Sequence, residues 1–445
     1  MRRGLPTLLS GYKTAMHLLS LRNLLMVSPV FFLTIREWTN ALVVILSIAA
    51  IWFLCRTAKP QPKLPSALGL PLTNTALIVF MLAGPLGAAM IGQLLRQQLD
   101  LPVFDAPLRY VLCIPLFLAL RRGWLLSQGI MSITLFWLKT AFPLALVWTF
   151  LFTSIWPSYW GSGLTTYFVD PLTFGSYCLL FALLTILGLS LFWLEMRWYR
   201  RLFSLTAVVC GVYLSVASGS RTGWLGLPVF LVLWVFYILK PKIGGLRTLA
   251  LTLAIFLMLA AVLAIKPHLA NKFVLMAQEM WNYHWDAMNP DASVTMRISF
   301  YRMAWFYFLE RPLSGWGDLG WMQLMNAPEL MRYASAFTRE FPRHGFHNEI
   351  VTQTVHSGVW GLVSSSALFG IVLYCAIYGI KWLSDSAWMV SFALLIFGCH
   401  LLLAGMSTEI TNLVFLVSFT GLTATVMLGE QQWLWSQSLK PMASQ

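Results

Sequence analysis

Long apolar runs separated by polar breaks fill this chain from residue 23 to residue 429. A helix needs about 20 apolar residues to cross roughly 30 Å of hydrocarbon. On that pattern the chain predicts about twelve spans. They fall near 23–35, 40–55, 66–95, 108–120, 130–156, 172–194, 202–218, 222–239, 248–266, 349–380, 388–406 and 411–429. The first and fourth are the shortest. One break, 267–347, is far longer than a connection requires, which marks function or disorder. Its Trp, Tyr, Phe and Met content favours a folded segment. The expected organisation is nine spans over 1–266, a large helical loop over 267–347, and three spans with a tail over 348–445. The fold class is therefore an all-α polytopic integral membrane protein.

Two helices are expected inside the loop. The stretch 271–285, "NKFVLMAQEMWNYHW", reads as an amphipathic helix lying at a membrane surface, where Trp and Tyr are favoured. The stretch 292–317 reads as a stronger helix, capped by Ser293 or Thr295 and ended by Pro312 and Gly315.

Composition agrees with a membrane protein. Of the 445 residues 58% are hydrophobic and 10% charged, with a mean hydropathy of +0.73; a soluble domain carries about 25% charged residues. The basic N-terminus leads into a segment expected to be retained rather than cleaved. Charge also orients the chain. One set of connections holds Arg2, Arg3, Lys13, Arg22, Arg56, Lys59, Lys63, Arg121, Arg122, Arg197, Arg200, Arg201, Lys240, Lys242 and Arg247. The short connections of the other set hold Arg36, Arg96, Arg109 and Arg221. By the positive-inside rule the first set is cytoplasmic, so both termini are expected inside and the large loop outside.

Much of the net charge of +14 is this topological bias. The rest gathers in the loop, as Lys272, Arg297, Arg302, Arg311, Arg332, Arg339 and Arg343. A basic outer pocket suits an anionic head group or a phosphorylated substrate, and a chain so embedded points away from nucleic acid. All six cysteines fall in or at the ends of spans, so they read as apolar packing without a disulfide framework.

Three stretches carry candidate chemistry. "SGSRTGW" at 218–224 is a very short turn between spans that places Arg221 at the membrane boundary, where a charge is costly and marks function unless it snorkels to lipid phosphate. On the second loop helix Arg297, Tyr301, Ala304 and Phe308 share a face, whereas Arg302 lies about 140° from Arg297. Snorkelling is the alternative for both arginines. "RHGFHNEIVTQTVHSGVWG" at 343–361 holds three of the seven histidines. A helix starting near His347 would turn His356 nearly opposite, and His344 precedes it across Gly345. No cysteine or acid stands at ligand spacing, so a zinc site is a poor reading and no metal is expected. His347 at a helix start reads as a base or as a polar surface residue. The helix dipole would favour its neutral, proton-accepting form.

In order, spacing and side, these stretches together resemble the O-antigen ligase/polymerase superfamily. Its members are membrane-embedded glycosyltransferases, GT-C-like in fold, that use polyprenyl-pyrophosphate-linked sugars outside the inner membrane. The matching features are "SGSR" at 218–221, and Arg297 fifteen positions before Pro312 of "PLSGWG" with Tyr301 at an aromatic position. "HN" at 347–348 follows, with Gly358 and Gly361 beyond it. The resemblance covers roughly 200 to 361. One departure is His356, where many members carry Glu nine residues after the His; that role is not transferable.

The single large late loop looks like the O-antigen ligase of lipopolysaccharide biosynthesis, with polymerases of the superfamily as the alternative. The resemblance then implies an undecaprenyl-pyrophosphate-linked glycan donor, a lipid A–core acceptor, membrane lipids around the chain and no cofactor. Arg221 and Arg297 would hold the pyrophosphate, and His347 would take the acceptor hydroxyl proton. Asn348 would orient the acceptor or cap the helix. Arg302, Arg339 and Arg343, with Tyr301, complete the substrate-binding candidates. No D-x-D motif occurs, which predicts metal-independent inverting transfer. A twelve-span transporter is the rival class. Against it, the halves do not look alike, the long loop is not cytoplasmic, and Lys139 is the main charge deep in a span.

Overall fold

The computed structural model describes residues 20–57, 71–126, 131–220, 223–239, 244–247, 250, 253, 254, 257, 267–283, 293–383 and 385–438. In chain order its helices are α1 Trp38–Arg56, α2 Pro71–Arg96, α3 Asp105–Arg121 and α4 Ile133–Ile155. There follow α5 Pro171–Phe192, α6 Trp198–Ala217, α7 Gly226–Trp234, α8 Pro267–Trp281 and α9 Ser293–Glu310. The last three are α10 Glu349–Trp382, α11 Asp385–Gly405 and α12 Val414–Ser438. Among the described residues nine helices, α1–α6 and α10–α12, are long and apolar enough to cross a membrane. The chain is a multi-pass helical membrane protein.

Two helices form the centre. The apolar windows of α5 and α12 are 89% and 94% buried, against 33–39% for α1, α2, α3 and α6 at the periphery. A helix apolar on all sides belongs inside. Phe419 of α12 stacks on Phe32 at 3.8 Å between ring centroids, and Phe181 of α5 closes the cluster at 5.8 Å from Phe419. Lys139 of α4 pairs with Glu195 at 3.0 Å and lies over the Phe192 ring at 3.6 Å, so its charge is neutralised.

The structure corrects the expectation at 23–35. Residues 20–26 are helical and 27–34 are turns, so this segment is not a spanning helix. Pro29 is the reason: it disfavours helix at Ser28 and donates no hydrogen bond. The segment is instead buried as irregular chain, with Val30, Phe32 and Leu33 in the core. Irregular backbone at this depth needs protein partners, and it has them. The Trp38 and Trp137 indole N–H groups donate to the Ser28 and Leu25 carbonyls at 3.0 and 3.2 Å. The expected span 248–266 lies almost wholly outside the described residues. The chain is also not purely helical: Ser158–Trp160 (β1) and Gly163–Thr165 (β2) form an antiparallel hairpin between α4 and α5.

The segment 293–347 folds on its own core. Phe300, Met303, Ala304 and Tyr307 of α9, at i, i+3, i+4 and i+7, pack with Trp316, Trp321, Leu330, Tyr333 and Phe346, and with Val355 of α10. Two short helices, Pro328–Met331 and Ala336–Glu340, complete it.

Candidate functional site

Helix α10 begins at Glu349, two residues after His347, near which the sequence suggests its start. Asn348 is its N-cap, with extended backbone and a side-chain oxygen accepting the Val351 N–H at 3.2 Å. Such a cap satisfies an otherwise orphaned donor. His347 therefore stands outside the helix, in the left-handed region at φ 50°. Non-glycine residues hold that conformation only when their surroundings enforce it. Here the half-buried imidazole rests against Phe341 and Phe300, with ring centroids at 5.4 and 6.1 Å.

The Asn348 side chain works twice. Its amide also donates to the Tyr301 hydroxyl at 3.3 Å, which ties α9 to the start of α10. Arg297 lies one turn before Tyr301 on the same face, about 6 Å along the axis. It is half-buried and has no hydrogen-bond or ion-pair partner among the described residues. Arg302 points elsewhere, as the helical spacing predicts: its guanidinium lies over the Tyr333 ring at 3.9 Å. Arg339 is 7% exposed and donates to the Ala334 carbonyl at 2.7 Å and to Asn326 at 3.4 Å, so it braces the interior of the loop. The side chain of Arg343, like that of His344, lies outside the described residues.

Arg221 also lies outside them, but the turn leading to it is described. Gly219 has φ 70°. The Ser220 hydroxyl donates to the Leu172 carbonyl at 3.0 Å, and its N–H donates to the Ser218 hydroxyl at 3.1 Å. The turn lies so close to α5 that a Cβ on Gly175 would meet the Ser218 side chain. Small residues are what this approach demands. From there Phe168 touches Phe415 at 5.3 Å at the start of α12, and Thr411 reaches Glu349 of α10. The three sequence stretches thus gather at one end of the helix bundle.

The glycines of the pattern have a structural account. Gly358 interrupts α10 at φ 62°, ψ −143°. The break frees the Val355 and His356 carbonyls, and the loop motif at 312–317 docks into it. Trp316 and Gly317 donate their N–H groups to those carbonyls, each at 2.9 Å, and Val359 donates to the Pro312 carbonyl at 2.8 Å. Arg96, at the end of α2, clamps the junction by donating to the carbonyls of Ser314 and of His356. A Cβ on Gly315 would stand 2.4 Å from the His356 carbonyl oxygen. His356 itself faces Asp318, with Nδ1 at 3.3 Å from the carboxylate. It and His347 go to different partners, as the sequence spacing anticipated.

Beneath His347 lies a pair of acids that sequence reasoning did not select. Glu349 accepts the N–H groups of Ile410 and Thr411 at 2.6 and 2.9 Å, along with the Thr411 hydroxyl. Glu409 accepts the Thr352 hydroxyl at 3.2 Å, and its carboxyl group faces the turn that carries His347. Burial, and then the neighbouring Glu349 carboxylate, push the Glu409 carboxyl up to about 7. A signal was available: Glu409 is one of only sixteen acidic residues. It sits between the last two apolar runs, on the same expected side as His347.

A helical membrane protein with a folded loop latched into a broken helix, and a strained histidine at that helix's mouth, defines the class. Residues 206–365 match the profile of the family described as O-antigen ligase. The match covers 160 of the 445 residues, so it is a likeness of that stretch to the O-antigen ligase family. It is also similar to an uncharacterized protein of Haemophilus influenzae, 24% identical over 190 residues. That similarity spans 43% of this chain and 46%, less than half, of the relative.

Proposed function

We propose that the chain is an O-antigen ligase, transferring polysaccharide from undecaprenyl pyrophosphate to a sugar of lipid A–core. The observation that carries the reading is the setting of His347. It is held in strained backbone against two aromatic rings, next to the Asn348–Tyr301 bond that ties the Arg297 helix to it. His347 takes the proton from an acceptor hydroxyl, whose oxygen attacks the anomeric carbon. The bond from that carbon to the pyrophosphate oxygen breaks on the opposite face, with inversion. Arg221 and Arg297 carry the charge that develops on the departing pyrophosphate, the role a divalent cation fills elsewhere.

The bundle end that gathers the three stretches is the one poor in short-connection charge, while Arg56, Arg121, Arg122, Arg197, Arg200 and Arg201 mark the other. The positive-inside rule supports a site outside an inner membrane with cytoplasmic termini, and the resemblance to the superfamily implies a GT-C-like architecture. A lipopolysaccharide gel from a strain lacking the chain tests the reading. A ligase deletion leaves bare core. Core carrying a single repeat would instead assign the chain as the polymerase of the same superfamily.

A further inference from the structure

Glu409 is buried under the residue to which the proposed function gives the chemistry, and it belongs to none of the three motifs. Its carboxyl group is 6% exposed at the residue level and lies in the connection between α11 and α12. It faces the turn that precedes α10. Gly345, at φ 106°, passes so close that a Cβ there would stand 2.3 Å from the Glu409 carboxyl carbon. His347 follows two residues on, in the same turn. Thr352, one turn into α10, accepts the Phe346 N–H at 3.0 Å and passes its own hydroxyl hydrogen to Glu409 at 3.2 Å. Glu409 therefore holds the chain on either side of the left-handed residue.

The carrier of Glu409 is itself fixed by α10. Glu349 accepts the N–H groups of Ile410 and Thr411, the two residues after Glu409, and Gln353 donates to the Thr411 hydroxyl at 2.7 Å. Each segment lends a carboxyl group to the other. A capped helix needs no such exchange to end cleanly. What the exchange fixes is the backbone angle of His347, and hence the direction in which its ring leaves the chain.

We infer that Glu409 is a positioning residue for His347, fixing the imidazole for proton transfer by holding the Gly345–Phe346 turn that carries it rather than by touching substrate. This rests on the reading of His347 as the base. The titratable groups facing Glu409 are Glu349 from α10 and His347 from the turn. Its raised pKa fits a carboxyl group held for geometry at the expense of its own ionisation.

The test uses the full chain in detergent with lipid-linked donor and lipid A–core. The variants are Glu409→Gln, Glu409→Ala, Gly345→Ala and the Glu409→Ala/Gly345→Ala pair, and each is checked for folding by its melting temperature. Glu409→Gln keeps an acceptor for the Thr352 hydroxyl, so kcat should stay within about threefold of wild type. Glu409→Ala should lower kcat by at least about tenfold while KM for donor stays within about twofold, since the donor is held by the arginines. Gly345→Ala pushes the carboxyl group away and should act on kcat in the same way. The double variant should be no worse than the poorer single, because both break one contact. Wild-type kcat in folded Glu409→Ala overturns the inference, as does a loss in Glu409→Gln equal to that in alanine, or a change confined to KM. A His347→Ala control separates the two ideas. If His347→Ala transfers normally, the base assignment is what fails; if it is inactive while Glu409→Ala is fully active, only the positioning role fails.

Discussion

Replacing Gly358 with alanine should unlatch the loop from the membrane helices. The backbone there, φ 62° and ψ −143°, is one that L side chains avoid, and holding a residue in such a region costs about 1–3 kcal/mol. The new Cβ would also stand 2.3 Å from the Pro312 carbonyl oxygen. Relieving that overlap moves Pro312 and strains three backbone bonds: Val359 to Pro312 at 2.8 Å, and Trp316 and Gly317 to the freed α10 carbonyls at 2.9 Å. At about 1 kcal/mol each, their loss brings the total to roughly 4–6 kcal/mol. That is enough to open the junction locally without unfolding the bundle. The assay is limited proteolysis of 311–318 in detergent, alongside thermal unfolding and transfer activity. Cleavage should appear within this stretch and transfer should fall by at least about tenfold. Gly370→Ala is the control: it lies in the same helix with nothing within 4 Å of its Cβ position, and it should be neutral or stabilising by up to about 1 kcal/mol. If Gly358→Ala kept wild-type protease resistance and melting temperature, the latch would be refuted.

The two arginines of α9 should separate on lysine substitution. Arg302→Lys weakens a stack over Tyr333 worth about 0.5–1 kcal/mol and should leave transfer within about threefold; on the proposed mechanism Arg297→Lys loses a two-pronged phosphate grip, which should cost at least about tenfold in steady-state assay. Glu409 makes stability depend on pH. Its folded pKa, about 7, lies above the ordinary 4.5, so its contribution is fully present below about 4.5 and is lost as pH rises through 7. Melting curves of Glu409→Gln should therefore gain on wild type between pH 5 and 9, by up to about 3 kcal/mol; a constant difference would contradict the raised pKa. Transfer with purified components should survive excess EDTA; loss restored by magnesium would contradict the arginine-only account of the leaving group.

Much of this fold was legible because apolar runs that cross a membrane leave few alternatives to helix. The exception, 23–35, was misread because hydropathy scores Val30, Phe32 and Leu33 as membrane-facing when they are core. Only Pro29, with two tryptophan donors far along the chain, reveals a buried turn. At the site, the motif spacing correctly set Arg302 apart from Arg297 and His356 apart from His347. It did not explain Gly358, because a helix broken to receive a loop is a contact over about forty positions or more. Glu409 stood out as an acid between two apolar runs, but its partners did not: Gly345 and Thr352 lie some sixty residues away, and the return of α11 alongside α10 brings them together.

The central claim is that His347 deprotonates the acceptor. The measurement that reaches it most directly is transfer of glycan to lipid A–core by His347→Ala in a strain from which the native chain has been deleted, at matched protein level and melting temperature. The account predicts a folded protein and bare core on the gel. Wild-type transfer by that variant would contradict it.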